Sequence, residues 1–436
     1  MEKSKKTKFY VTLVIFSLFG QIAWVIENMY FNVFIYKMFG ANEDQIALMV
    51  ALSAVSATVT TLIIGALSDK LGKRKIFISA GYILWGVSIL CFALVRTDVF
   101  SRLMPAASIL TVNAACITVV IALDCLMTFF GSSANDACFN AWLTDSTTSK
   151  NRGSAEGINA IMPLMAILAV FGGFMAFDLN KASSWTVIYI IIGAVVVGIG
   201  ILGLFIIDEP TIETSSNKSY FKNIIYGFRP SVIKENKMLY VYLIAFAVFG
   251  ISIQIFMPYL IIYYEQILGD SYVFVMAPAI VLAGAFTFAW GKLYDKIGFG
   301  KTVVPSLALL IVGYVILAIF EHVVPVFIGS LLMMCGYLSG MAVFGAIIRD
   351  NTPENKSGMF QGLRIVGQVL IPGVIGPAIG AAVLDDSAKT IGSDGTEVFT
   401  PDRGIFVAAL IVAAVLITAI CVMLLVNRKR EQNEEN

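Results

Sequence analysis

Histidine is almost absent from this chain: His322 is the only one, and it falls in a short loop between two apolar runs. Catalysis or metal binding built on imidazole has nothing to work with here. Cysteine is scarce too. Cys91, Cys116, Cys125, Cys138, Cys335 and Cys421 all lie inside apolar stretches, with no CxxC spacing. Neither a disulfide framework nor a zinc site follows. Charge is the most telling shortage, at 14% of 436 residues against 58% hydrophobic, with a mean hydropathy of +0.85. A soluble chain of this length needs far more charge to cover its surface. The net charge of +1 is spread over many short loops, and no basic block is interleaved with aromatics, so nucleic acid is not an expected partner. No nucleophile–base pair or metal cluster suggests an enzyme, and no cofactor is expected.

What the chain has in abundance is apolar length. A spanning helix needs about 20 mostly apolar residues. Twelve such segments can be drawn, at 10–37, 45–67, 76–96, 112–143, 155–178, 184–207, 239–266, 272–292, 302–320, 324–348, 358–383 and 404–427. The basic start, Met1 to Lys8, runs into a stretch too long for a signal peptide and without a small-residue cleavage site, so it reads as a retained first membrane helix. The expected fold is an all-α polytopic membrane protein of 12 transmembrane helices in two pseudo-symmetric six-helix bundles. Residues 1–207 form the first bundle, 208–238 a linker, and 239–436 the second bundle with a short tail. In the linker, Tyr220, Ile224, Ile225 and Phe228 recur at helical spacing, which suits an amphipathic helix on the membrane surface.

The duplication is visible in two pairs of polar loops. Gly65-Ala66-Leu67-Ser68-Asp69-Lys70-Leu71-Gly72-Lys73-Arg74-Lys75 is echoed by Gly291-Lys292-Leu293-Tyr294-Asp295-Lys296-Ile297-Gly298-Phe299-Gly300-Lys301. Asp145, Thr147, Gly153, Glu156 and Gly157 are echoed by Asp350, Thr352, Gly358, Gln361 and Gly362. The first offset exceeds the second by roughly 21 residues, which places an insertion before the fourth segment of the first half, around 98–111. Roughly 23 basic residues share one side with both termini, against about six on the other, so that side is expected to face the cytoplasm.

The loop Gly65, Asp69, Gly72, Lys73, Arg74 resembles the signature between the second and third helices of the major facilitator superfamily. The resemblance covers the whole chain and implies a secondary transporter working by alternating access. Asp69, Arg74, Asp145 and Arg152 in one half, and Asp295, Arg349 and Asp350 in the other, then read as gating latches at helix ends. Capping by Asp145 and Asp350 is a compatible role. The run Asn135-Asp136-Ala137-Cys138-Phe139-Asn140-Ala141-Trp142 and the pattern Phe19-Gly20…Trp24…Glu27-Asn28 are similar to the glycoside–pentoside–hexuronide cation symporters, in particular the sucrose-type branch. Melibiose-type carriers of that group place paired carboxylates on the second helix, and Ala57 to Thr61 carries none. An aspartate of the group's first helix is also replaced near Ile22.

Ionisable residues at membrane depth are costly and mark function. Glu27, Asp124, Asp136 and Arg364 occupy such positions. On the first segment Gln21, Trp24, Asn28 and Asn32 fall on one helical face, with Glu27 beside them. An indole with amides and a carboxylate suits a sugar, the ring stacking on its apolar face and the polar groups bonding its hydroxyls. Interhelical packing is the competing role for the amides. The expected substrate-binding set is Gln21, Trp24, Asn28, Asp124, Asp136, Asn140, Gln254, Tyr259 and Arg364. For Arg364, facing the cavity and snorkelling to the inner surface are open alternatives. Glu27 or Asp124 is the expected carrier of a coupling proton, with Na+ as the alternative ion. Pro258 and the Gly/Pro-rich run Gly367 to Gly380 offer hinges. The expected protein is thus a monomeric sugar or glycoside symporter in the lipid bilayer of the cytoplasmic membrane. Export of amphipathic compounds is the runner-up, and a non-transporting sensor or scaffold comes third.

Overall fold

The computed structural model describes residues 2–147, 152–210, 226–352, 363–385, 389–391 and 397–434. They form two compact units, Met1–Lys222 with Lys389–Phe399, and Asn223–Ala388 with Thr400–Asn436. The first unit contains α1 (Glu2–Phe39), α2 (Glu43–Leu71), α3 (Lys75–Phe92), α4 (Thr97–Leu103), α5 (Ile109–Gly131), α6 (Asn140–Asp145), α7 (Arg152–Phe174) and α8 (Ala182–Ile206). The second contains α9 (Pro230–Glu235), α10 (Lys237–Phe256), α11 (Leu260–Leu268), α12 (Tyr272–Ile297), α13 (Phe299–Ile319), α14 (Val323–Asp350), α15 (Ile371–Leu384) and α16 (Gly404–Glu434). Eleven helical runs among the described residues are long and apolar enough to span a membrane, and Ile158–Phe174 within α7 is a shorter twelfth.

Local chemistry sets the helix ends. Asn42 and Gln45 exchange bonds before α2: the Asn42 amide N–H donates to Gln45 Oε1 (3.0 Å) and the Gln45 N–H to Asn42 Oδ1 (2.9 Å). Gly72 ends α2 at φ 62°, and Gly298 stands between α12 and α13 at φ 75°. Both have a positive φ, which disfavours any residue that carries a side chain. These are the glycines the repeated loop shares, so the repeat in sequence is a repeat in turn geometry. α8 stops at Ile206, ahead of Asp208-Glu209-Pro210, as expected from the proline.

The two units pack their helices in the same pairs. In the first, α1 contacts α7, α2 contacts α5 and α3 contacts α8; in the second, α10 contacts α15, α12 contacts α14 and α13 contacts α16. The duplication read from the loops is therefore a duplication of packing. The expected insertion is α4, tied to α5 by the Thr97 hydroxyl, which donates to Asn113 Oδ1 (3.0 Å). The long fourth segment starts at Ile109 behind the Ser108 cap, three residues before the expected 112, and is interrupted by a π-helical stretch, Ser132–Phe139. A second π stretch, Val366–Leu370, precedes α15. The linker helix expected around Tyr220 to Phe228 lies mostly outside the described residues, of which Tyr226–Phe228 form a 3-10 turn.

A hairpin of β1 (Lys389–Ile391) and β2 (Glu397–Phe399), antiparallel with Lys389 opposite Phe399, belongs to the first unit although it lies late in the chain. The Tyr36 hydroxyl donates to the Phe399 carbonyl (2.7 Å), the two rings meet edge to face at 5.3 Å, and Lys389 Nζ is 3.8 Å from Glu43 Oε1.

Candidate functional site

The polar residues of α1 divide between two environments. Gln21 and Trp24 are half-buried and Asn28 is exposed, whereas Glu27 and Asn32 are buried. The Asn28 amide donates to the Trp24 carbonyl (2.7 Å), and the Asn32 amide to the Asn28 carbonyl (3.4 Å). The single face expected from helical spacing is thus an accessible patch with a buried carboxylate behind it.

The buried part joins three helices. Glu27 Oε1 accepts from Ser53 Oγ of α2 (2.7 Å) and from Thr128 Oγ1 of α5 (2.8 Å), and the two hydroxyls are 2.8 Å apart. Asp124, one turn before Thr128 on α5, is 2% exposed, and Ser53 lies within hydrogen-bonding reach of its carboxylate. Two hydroxyl protons cannot satisfy four carboxylate oxygens. Accordingly Glu27 Oε2 and Asp124 Oδ1 have no hydrogen-bond partner among the described residues. Orphaned buried acceptors are expensive and stand out in a native structure. Ser53 was not among the sequence-derived candidates, because a lone serine in an apolar run carries no signal until its neighbours across the bundle are known.

The accessible part is built by α1 and the π-helical stretch. Asp136 is half-buried; Ser132 Oγ donates to its Oδ2 (2.9 Å), and the Asn135 amide and the Trp24 indole lie beside its carboxylate. Asn140 is exposed, one turn on, with its amide donating to the Asp136 carbonyl (3.2 Å). Trp24 packs on Trp85 with ring centroids 5.0 Å apart. A Cβ on Gly131 would lie 2.7 Å from the Trp85 ring and 3.0 Å from Trp24, so the absent side chain at 131 lets both indoles reach α5. Single-turn π geometry is uncommon and concentrates at functional positions. Asp136 sits within the first π stretch, and Arg364 sits just before the second.

In the second unit Arg364 is half-buried and its Nε donates to Gln368 Oε1 (3.3 Å), while Gln254 is half-buried on α10. Tyr259 is fully buried, its hydroxyl donating to the Pro377 carbonyl (3.4 Å), which puts it in the packing of α10 against α15. Tyr264 is likewise buried against Ser330 (2.6 Å).

The two copies of the polar loop are built differently. In the first unit Arg74, 4% exposed, donates through Nε to Asp145 Oδ2 (3.0 Å) and through Nη1 to Ser68 Oγ (2.5 Å). The backbone N–H groups of Arg74 and Lys75 donate to the Glu209 carboxylate, which neutralises the N-terminal end of α3. Lys8 pairs with Asp208 at 2.5 Å. The side chains of Asp69 and Arg152 lie outside the described residues. In the second unit Gly300 holds the slot of Arg74, and the Tyr294 hydroxyl donates to Asp350 Oδ2 (2.7 Å). Asp295 and Arg349 are exposed and form no ion pair with a described residue. A cavity of about 630 Å³ lies there, lined by Tyr294, Asp295, Arg349 and Asp350 among others.

Away from the membrane spans, the Arg96 guanidinium beside Asp98 holds its carboxyl below the usual aspartate range, and the Asn180 backbone N–H with the Lys181 side chain does the same for Asp178.

Two similarly packed bundles of membrane-length helices define a multi-pass membrane protein. The chain belongs to the Major Facilitator Superfamily, whose sequence profile it matches over residues 12–342 and 275–436, and it is a secondary transporter. No curated protein sequence matches it significantly. Among solved structures it is similar to the nucleoside transporter NupG, with TM-score 0.67, 12% identity and coverage of 95% of this chain and 98% of that one. It is similar to a bacterial homolog of the human lysosomal transporter Spinster, with TM-score 0.68, 16% identity and coverage of 97% of each chain. It is also similar to the xylose transporter XylE from E. coli, with TM-score 0.64, 15% identity and coverage of 94% and 95%. Identities this low establish the shared fold.

Proposed function

We propose that this carrier moves a sugar or glycoside across the cytoplasmic membrane by alternating access, in symport with a proton. The observation that supports it best is the arrangement of the first unit in two tiers. Gln21, Trp24, Asn28, Asp136 and Asn140 offer a ring face, amides and a carboxylate to a hydroxylated ligand. Behind them Glu27, bonded to Ser53 and Thr128, and Asp124, within reach of Ser53, each offer an oxygen that lacks a donor among the described residues and so can take up a proton. Two of the fold neighbours are described as carriers of nucleosides and of xylose, both of which contain a hydroxylated sugar ring. The motifs around Trp24 and Asp136 resemble those of the glycoside–pentoside–hexuronide branch, which supports a sugar-type substrate. Arg364 and Gln254 contribute to recognition from the second unit. Arg74 with Asp145, and Asp350 with its neighbours, act as latches on the cytoplasmic side, where the charge distribution puts both termini. The linker is 208–238, and the working unit is a monomer.

Uptake into proteoliposomes under an imposed pH gradient tests this reading. Accumulation of a radiolabelled sugar driven by inward-directed protons is expected. Accumulation indifferent to the pH gradient but driven by sodium would reassign the coupling ion. Binding of lipophilic cations with no response to any sugar would move the protein to the exporters.

A further inference from the structure

The membrane-spanning segments of the first unit carry acidic charge and no basic charge. Between Lys8 and Lys37, between Arg102 and Lys150, and between Arg152 and Lys181 there is no lysine or arginine, nor does α8 contain one. Glu27, Asp124 and Asp136 lie in these intervals. Arg74, the one buried basic side chain among the described residues of the unit, is already engaged by Asp145 and Ser68. Charges at membrane depth are normally paired. Glu27 and Asp124 are sealed behind the surface and can be neutralised by the coupling ion. Asp136 is different. It is only half-buried, Ser132 Oγ donates to it, the neutral side chains of Asn135 and Trp24 lie beside it, and no cation of the first unit reaches it among the described residues.

A carboxylate beside an indole is a combination with a definite preference. The carboxylate forms its strongest hydrogen bonds with an ammonium, and the indole face attracts the same cation. A neutral hydroxyl can bond to Asp136 but leaves its charge uncompensated. Asn28 and Asn140, exposed on either side, supply donors and acceptors for ring hydroxyls without adding charge. We infer that the transported sugar carries a protonated amine, held by Asp136 and Trp24. The substrate class is an amino sugar or an amine-bearing glycoside rather than a neutral sugar. This rests on the sugar reading above and narrows it.

The test compares each amine with its hydroxyl counterpart on the same ring: D-glucosamine with D-glucose, and D-galactosamine with D-galactose. N-acetyl-D-glucosamine serves as the uncharged amide control. Binding to the purified full chain is measured by calorimetry, at a pH where the amines are protonated. The expected result is at least one pair in which the amine binds about tenfold or more tightly than the hydroxyl form. The N-acetyl form should lose that advantage. Asp136→Asn should abolish the difference within the pair, and Asp136→Glu should keep part of it. Equal binding of amine and hydroxyl forms overturns the inference and leaves the sugar reading standing. An amine preference that survives in a folded Asp136→Asn protein overturns the assignment to Asp136. Binding of none of these sugars overturns the sugar reading and the inference with it. The wild-type comparison decides the matter even if Asp136→Asn does not fold.

Discussion

Glu27 shows how one residue can be over-supplied on one side and stranded on the other. Its Oε1 takes both hydroxyl protons within reach, and its Oε2 takes none among the described residues. Glu27→Gln keeps the shape and gives that position its own donors. In reconstituted protein it should abolish proton-driven accumulation while leaving counterflow exchange of preloaded sugar measurable. Full uphill accumulation in the variant would acquit Glu27. Ser53→Ala removes one donor and leaves a buried acceptor less satisfied, a loss of about 1–3 kcal/mol. A lower unfolding midpoint in detergent should report it, and Ser53→Thr should restore the hydroxyl. Outside the membrane, Asp98 is the counter-case. Arg96 depresses its carboxyl, so the pair's contribution is present above the unfolded aspartate range of about 4 and is lost as pH falls through the depressed value. Both groups are exposed, so Asp98→Asn should leave the unfolding midpoint at neutral pH unchanged within error, and only its acid limb should differ.

At the scale of the element, the segment from Ile109 to Asp145 does the most to build the site. Its α-helical part presents Asp124 and Thr128 inward, its π-helical part carries the half-buried Asp136, and Asn140, at the start of α6, is exposed. The wider π turn changes the rotation per residue, so a face drawn at regular helical spacing does not continue through it. Sequence spacing therefore names Asp136 and Asn140 without placing them relative to Asp124. Hydrophobic periodicity marks a span; it does not mark a local change in hydrogen-bond register. The contact at Gly131 can be probed directly. Gly131→Ala pushes a methyl into the Trp85 and Trp24 rings, and overpacking of this kind costs about 1–3 kcal/mol. The expected outcome is a lower unfolding midpoint together with weakened sugar binding, because Trp24 is displaced. Gly173→Ala, on α7 with open space around it, should change neither.

At the scale of the molecule, the sequence disclosed what repeats and hid what differs. Span length, charge asymmetry and the shared glycines Gly72 and Gly298 were enough for the class, the duplication and the insertion now seen as α4. Those features depend on local chemistry and on composition. The partners of Glu27, the burial of Tyr259 and the docking of Lys389–Phe399 on Tyr36 depend on residues 26 to 363 positions apart, which no local pattern encodes. The two copies of the polar loop show the same division. Asp145 and Asp350 match in sequence, yet Asp145 holds a nearly buried guanidinium while Asp350 is exposed and takes one phenol hydroxyl. Removing one carboxylate therefore should not equal removing the other. Asp145→Asn removes the carboxylate that accepts from the nearly buried Arg74 guanidinium. Because Asp145 is itself part-exposed, the loss should be nearer about 1–3 kcal/mol than the larger figure for a fully buried pair. Asp350→Asn keeps an acceptor for Tyr294 beside an open cavity and should cost less than about 1 kcal/mol. Unfolding midpoints of the two variants in the same detergent would measure this. Equal shifts, or a larger shift for Asp350→Asn, would show that the two repeats bear their loads alike despite the substitution of Gly300 for arginine. A larger shift for Asp145→Asn, with Arg74→Met and the double variant losing no more than either single change, would locate the rigid latch in the first unit alone.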